Sequence, residues 1–142
     1  MIQANELRIG NIVLRTKWLQ RYCKKPETWE YKQIIVDAND ILACKVRPDY
    51  FKPVPINLEI LGKCGFEIIC HFGEPQDNNP NMDAINGTFC ISKSVNKGEW
   101  VFGFDSIFAT KRNNFVWGPI DYLHQLQNLY FALTGKELNP SF

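Results

Sequence analysis

Toward the end of the chain, large apolar residues recur at helical spacing. In "YLHQLQNLYFALTG" (Tyr122–Gly135), Tyr122, Leu123, Leu126, Leu129, Tyr130 and Leu133 share one broad sector at about 100° per residue. Asp121, His124, Gln125, Asn128 and Ala132 fall opposite, which predicts an amphipathic helix with a solvated back. Either Pro119 occupies the first helical position or Asp121 caps the helix, and Gly135 ends it. A shorter helix is predicted over Leu58–Cys64. Pro53 and Pro55 hold the chain before it extended, Asn57 caps it, and Glu59 sits in its first turn. Gly65 supplies the left-handed residue that closes a helix.

Elsewhere the apolar period is nearer two. The Gly10-Asn11 turn signal followed by Ile12-Val13 predicts a strand at 11–15, and Glu30–Asp37 predicts another, buried at its Ile34-Ile35-Val36 end. Thr16–Trp29 reads as a long hairpin excursion between them. "ANDILACK" reads as a single helical turn opened by Asn39 or Asp40, and Phe66–Cys70 as a strand. Gly73–Asp83, "GEPQDNNPNMD", has almost nothing to bury and predicts an exposed, mobile loop. Ile85–Ser94, Glu99–Phe104, Asp105–Arg112 and Phe115–Trp117 then alternate as an antiparallel meander, with turns at Asn96-Lys97-Gly98 and Asn113-Asn114. The expected fold is α+β: a mostly antiparallel sheet, a short middle helix, and a C-terminal amphipathic helix packed on the sheet.

Composition narrows the function more than the fold. A chain of 142 residues with 45% apolar and 22% charged side chains is expected to be one globular domain, residues 1–142. Its net charge of +1 gives no global attraction to nucleic acid or to an anionic membrane. No basic-then-apolar leader opens the chain, and no apolar run approaches the roughly 20 residues of a membrane span. The 5 cysteines, Cys23, Cys44, Cys64, Cys70 and Cys90, are odd in number and scattered, so they are read as reduced and the protein as cytoplasmic. For a cytoplasmic chain the Asn86-Gly87-Thr88 sequon has no meaning.

Three segments carry a resemblance. "ELRIGN" (Glu6–Asn11), "PINLEILGKCGF" (Pro55–Phe66) and "HQLQNLYFALTGKEL" (His124–Leu138) resemble a family of small proteins from phages, prophages and mobile elements of Bacteroides and related bacteria. The C-terminal motif is the specific part, and Thr16–Trp29 and Gly73–Asp83 lie outside the likeness. The resemblance implies a bacterial or phage source and an accessory role, and it brings no catalytic residue with it.

Two surfaces are candidates for binding. On the polar back of the C-terminal helix, His124, Gln125, Gln127 and Asn128 read as a docking face for a protein partner or a second copy, as a solvent-facing strip, or as a strip hydrogen-bonded to neighbouring strand ends. In "RTKWLQRYCKKPETWEYK", the cations Arg15, Lys17, Arg21, Lys24, Lys25 and Lys32 interleave with Trp18, Tyr22, Trp29 and Tyr31. That mixture suits phosphate neutralisation and base stacking, or else a hairpin whose rings are core and whose lysines guard an edge. Cys64, Cys70 and His71 have neither the spacing nor the fourth ligand of a zinc site, so no metal and no cofactor is expected. Cys70 and His71, as strand neighbours, point to opposite faces and make no nucleophile–base pair. No nucleophile elbow or phosphate loop is present. The expectation is a non-enzymatic binding protein, with nucleic-acid binding as the alternative and an enzyme whose site the sequence hides as the third reading.

Overall fold

The computed structural model of the chain describes residues 1–16, 28–93, 99–103, 116–117 and 119–142. The fold is α+β, and every strand pairing among the described residues is antiparallel. Two compact units divide the chain: Met1–Pro55 with Tyr122–Ala132, and Ile56–Asp121 with Leu133–Phe142. No helix among the described residues is long and apolar enough to cross a membrane.

In the first unit, β1 (Ile12–Thr16) lies between β2 (Tyr31–Ile35) and β3 (Phe51–Lys52). The approach to β1 explains "RIGN". Asn11 N donates to Arg8 O at 3.1 Å across Ile9 and Gly10, and Gly10 has φ 91°. A turn with positive φ at its third residue requires glycine there. Gly10 N then donates to Val36 O at 2.9 Å while Val36 N donates to Asn11 O at 2.8 Å. Two residues of one strand thus face one of the other, which is a β-bulge that bends the strand as it enters the sheet.

The single turn expected at "ANDILACK" is instead a full helix, α1 (Ala38–Val46). Its cap is Asp37 rather than Asn39 or Asp40. The Asp37 carboxylate accepts from Asp40 N at 2.8 Å, and the Asp40 carboxylate accepts from Asp37 N at 3.1 Å. This reciprocal capping satisfies two donors that a helix start leaves orphaned. Asp40 is buried and also pairs with the guanidinium of Arg15 on β1. Cys44 enters a core of Ile2, Leu7, Val13, Val36, Tyr50 and Phe51, with Ile41 and Ala43 packed against it.

In the second unit the expected meander is present. β4 (Glu67–Cys70), β5 (Met82–Asn86), β6 (Phe89–Lys93), β7 (Trp100–Gly103) and β8 (Val116–Trp117) are neighbours in chain order. Ile85–Ser94, expected as one strand, spans the β5–β6 hairpin. Asn86 faces Phe89, and Gly87 takes φ 61° in the two-residue loop, as the turns that match strand twist require. Met82 and Asp83, expected in the loop, belong to β5. Met82, Ala84, Phe89, Ile91 and Trp100 are buried. The Phe89 ring lies 6.1 Å from that of Phe66, edge to face, and 5.2 Å from that of Phe102, stacked.

The middle helix, α2 (Leu58–Lys63), forms as its sequence predicts and ends a residue sooner. Asn57 Oδ1 accepts from Ile60 N at 2.8 Å. At the other end Phe66 N donates to Leu61 O and Gly65 N to Gly62 O, both at 3.0 Å, with Gly65 at φ 79°. This is the glycine-closed helix end in which the two flanking apolar residues, here Leu61 and Phe66, are both buried. Residues 17–27 of the expected Thr16–Trp29 excursion, the turns at Asn96-Lys97-Gly98 and Asn113-Asn114, and the strand Asp105–Arg112 lie outside the described residues.

The C-terminal helix, α3 (Leu123–Thr134), starts later than Pro119 or Asp121 would have it. Tyr122 still bridges Pro55 as extended chain, and Leu123 N donates to Val54 O at 2.9 Å. Gln125 Oε1 accepts from Tyr122 N at 3.2 Å, the side-chain-to-backbone half of a capping box.

Two glycines of one helix test this account in opposite directions. Gly65→Ala should cost about 1 kcal/mol, because alanine is strained at positive φ. Gly62, inside α2 with nothing within 4 Å of an added Cβ, should gain about 0.5–1 kcal/mol as alanine. Urea titrations of the two variants measure both; equal effects would refute the assignment of the helix end.

Candidate functional site

The polar residues of α3 do not lie along a solvated back. Gln127 and His124 are each 1% exposed, alongside the buried Leu123, Leu126 and Tyr130, while Leu133, expected inside, is half exposed. The buried stripe is turned toward the polar side because the β1 bulge needs partners there. Ile12 N donates to Gln127 Oε1 at 2.8 Å, and Gln127 Nε2 donates to Gly10 O at 3.3 Å. Asn11 Nδ2 donates to Asn128 Oδ1 at 2.9 Å, and Asn128 Nδ2 donates to Glu6 O at 2.7 Å. Two carboxamides one residue apart therefore hold the carbonyls and amides of Glu6–Ile12. Of the four residues read as a docking face, Gln127 and Asn128 fasten the helix to the N-terminal segment, Gln125 turns back to Tyr122, and His124 is buried. Bonding to strand ends, the last reading of this strip, describes Gln127 and Asn128. The Arg8 guanidinium lies 3.9 Å over the Phe131 ring and extends the same seam.

His124 is the exception within that seam. Its ring lies parallel to that of Tyr122, centroids 6.0 Å apart, and neither ring nitrogen has a hydrogen-bond partner among the described residues. Burial pushes its pKa below the ordinary 6.5, with the Glu6 carboxylate pulling weakly the other way. The fold therefore holds a neutral imidazole.

Of the described cations and rings of the basic-aromatic segment, Arg15, Trp29 and Tyr31 are spent on the fold. Arg15, read as a phosphate contact, pairs with Asp40. Trp29 packs against the core, its ring 5.7 Å from that of Tyr50 and nearly perpendicular to it. Tyr31 lies under the Lys52 ammonium, 4.0 Å from the ring centre. Lys32 stays exposed on β2. Lys17, Trp18, Arg21, Tyr22, Lys24 and Lys25 lie outside the described residues.

Cys44, Cys64 and Cys90 behave as apolar side chains. Burial pushes the Cys64 thiol up to about 12, and it also raises Cys44 and Cys90, so at neutral pH all three stay protonated and poorly nucleophilic. His71 turns away from Cys70 to Asp83, Nε2 to Oδ2 at 2.5 Å, a cross-loop pair that residue spacing does not reveal. Above it the 73–81 loop is exposed but held. Asn79 Nδ2 donates to Phe72 O and to Glu74 O, both at 2.8 Å, and Asn79 Oδ1 accepts from Asn81 N at 2.9 Å. Asp77 accepts from Leu58 N at 2.8 Å through its carboxylate and from Lys93 Nζ at 2.6 Å through its carbonyl. No group of three or more His, Cys, Asp or Glu among the described residues is placed to hold a metal ion. No protein-family model matches the chain, and no curated protein or solved structure matches it either.

Removing the clamp should be costly. Gln127→Leu leaves the Ile12 amide and the Gly10 carbonyl without their partner and should lower stability by about 2–6 kcal/mol, at about 1–3 per stranded group. Hydrogen exchange at Ile12 should accelerate with it; unchanged exchange would show that the clamp does not hold β1. The histidine gives a pH signature. Its native pKa is lowered, so its contribution is full above about pH 6.5 and is lost as the pH falls through the native value, because the unfolded chain takes up the proton first. His124→Phe keeps the stacked ring and should flatten the loss of stability on mild acidification; an unaltered pH profile would reject the assignment.

Proposed function

We propose that the chain is a non-enzymatic binding protein, an accessory factor of a bacterial genome or its mobile elements, acting through a protein interface on the outer face of α1. The observation that carries this reading is a ridge of Ala38, Leu42 and Val46, spaced four residues apart along one helix. Leu42 is 64% exposed and Val46 75%, and Ala38 is exposed beside them. Single exposed apolar residues are ordinary. A row at this spacing is what one helix offers to the groove of another. The opposite side of α1 is already committed to the core through Cys44, so folding of this unit does not call for the ridge. The cap at Asp37 and the Arg15–Asp40 pair hold the helix before any partner arrives, which keeps the ordering cost of docking small. Asn39 and Lys45 flank the ridge and supply the polar rim that such interfaces carry. Nucleic-acid binding through Lys17, Arg21, Lys24 and Lys25 is the competing reading.

One comparison separates the two. Both ridge positions are solvent-exposed, so Leu42→Glu/Val46→Glu should leave thermal stability nearly unchanged. It should abolish self-association in light scattering and the cross-linked complexes formed in the bacterial host. Lys24→Glu/Lys25→Glu should leave them intact. Complexes that survive the ridge variant would sink the proposal, and oligonucleotide binding that fades steeply with salt and is lost on lysine reversal would favour the competing reading.

A further inference from the structure

The exposed loop of the second unit has a division of labour that its sequence does not announce. Asn79 and Asp77 hold it, and His71 N donates to Asn81 O at 2.9 Å, tying its two ends together. Gly73 takes φ 77°, and a Cβ there would stand 3.3 Å from Asn79 Nδ2, so the backbone closes around that amide. The result is a compact surface loop with neighbouring ends, packed by its own side chains. Other side chains of the loop take no part in holding it. Those of Phe72, Glu74, Gln76, Asn78 and Asn81 line an open concavity of about 430 Å³ and make no hydrogen bond or ion pair among the described residues. Phe72 is 80% exposed, with nothing in the fold of this unit to explain it.

We propose that this concavity binds a neutral carbohydrate chain, the Phe72 ring lying against the apolar face of a sugar and the carboxamides of Gln76, Asn78 and Asn81 pairing with its hydroxyls. The chemistry of the lining selects that class. A carboxamide offers a donor and an acceptor side by side, and sugar hydroxyls both give and take hydrogen bonds. Among the described residues no cation lines the concavity, and Glu74 adds negative charge, which disfavours phosphates, nucleotides and acidic sugars. Phe72 and Pro80 among amides are too little apolar surface for a greasy ligand, which needs a mostly apolar, enclosing pocket. The side chains that make the contacts are carried on a backbone already fixed by Asn79, so binding need not order the loop. This site is in the unit that does not contain α1, and it stands or falls independently of the interface proposed there.

The test is binding of the fluorescently labelled full chain to an immobilised array of short neutral oligosaccharides, with sialylated and sulfated glycans and unglycosylated peptides on the same surface. Retention on neutral glycans is expected, and Phe72→Ala should weaken it by about tenfold, the scale of one aromatic contact. Asn78→Ala should weaken it too, with the thermal midpoint unchanged in both variants because both side chains are exposed. Leu42→Glu/Val46→Glu should retain full glycan binding. Any of four results overturns the proposal: no retention on neutral glycans, retention indifferent to Phe72→Ala, preference for acidic glycans, or retention on the peptides alone.

Discussion

The first unit depends on two carboxamides reaching a bulge. Without Gln127 and Asn128, the turn and bulge at Arg8–Ile12 would strand backbone groups of a buried segment, since Asn11, Ile12 and Val13 are all at most 5% exposed. An unpaired buried amide or carbonyl costs about 1–3 kcal/mol, and several would be stranded at once, so the segment cannot take this shape alone. The helix that supplies the partners lies 115 residues further along the chain. Closing so long a loop is entropically expensive, and several simultaneous hydrogen bonds with burial of Leu123 and Leu126 offset it. Glu6–Ile12 and the Gln127–Asn128 pair are thus the two halves of one contact. Their polar residues have a folding role whatever else they do.

The same logic places the charges. Asp40 is a buried carboxylate that would be intolerable alone; it is held by the Asp37 amide and by Arg15. That arrangement both starts α1 and takes up a cation that would otherwise be available to a phosphate. His124 follows a different rule. Its burial is accommodated by keeping the ring neutral and stacked, which makes it the one buried group of the seam that mild acid can reach. Among the described residues, the apolar ridge on α1 and the amide-lined loop beside Phe72 are two surfaces for which folding supplies no reason.

Where the backbone signals itself locally, the chain is legible from its residues alone. Asn57, Gly65 and the intervening apolar positions define α2 because a cap and a left-handed glycine act within a few residues. The strands at Ile12, Tyr31, Glu67 and Trp100 follow from alternation and β-branching for the same reason. Two further signals are equally local but are masked by stronger patterns around them. Asn86-Gly87 is a hairpin turn inside a run that alternation reads as one strand, and Asp37 to Asp40 has the spacing of a capping box. The length of α1 is harder to see, because Leu42 and Val46 make it apolar on both sides and blur its helical period.

The order of residues was therefore enough for the α+β class, the antiparallel meander, the middle helix with its two ends, and an amphipathic helix near the C-terminus. It was not enough for the direction in which that last helix faces, which was settled by packing in three dimensions. Periodicity sorts side chains by polarity, and by that measure Gln127 and Asn128 belong in water. Burial turns instead on whether a polar group finds a partner, and their partners are backbone and side-chain atoms of Glu6–Ile12 brought into reach by the bulge. A hydrogen bond satisfied across the fold makes a carboxamide as acceptable inside as a leucine, and no window along the chain contains both ends of that bond.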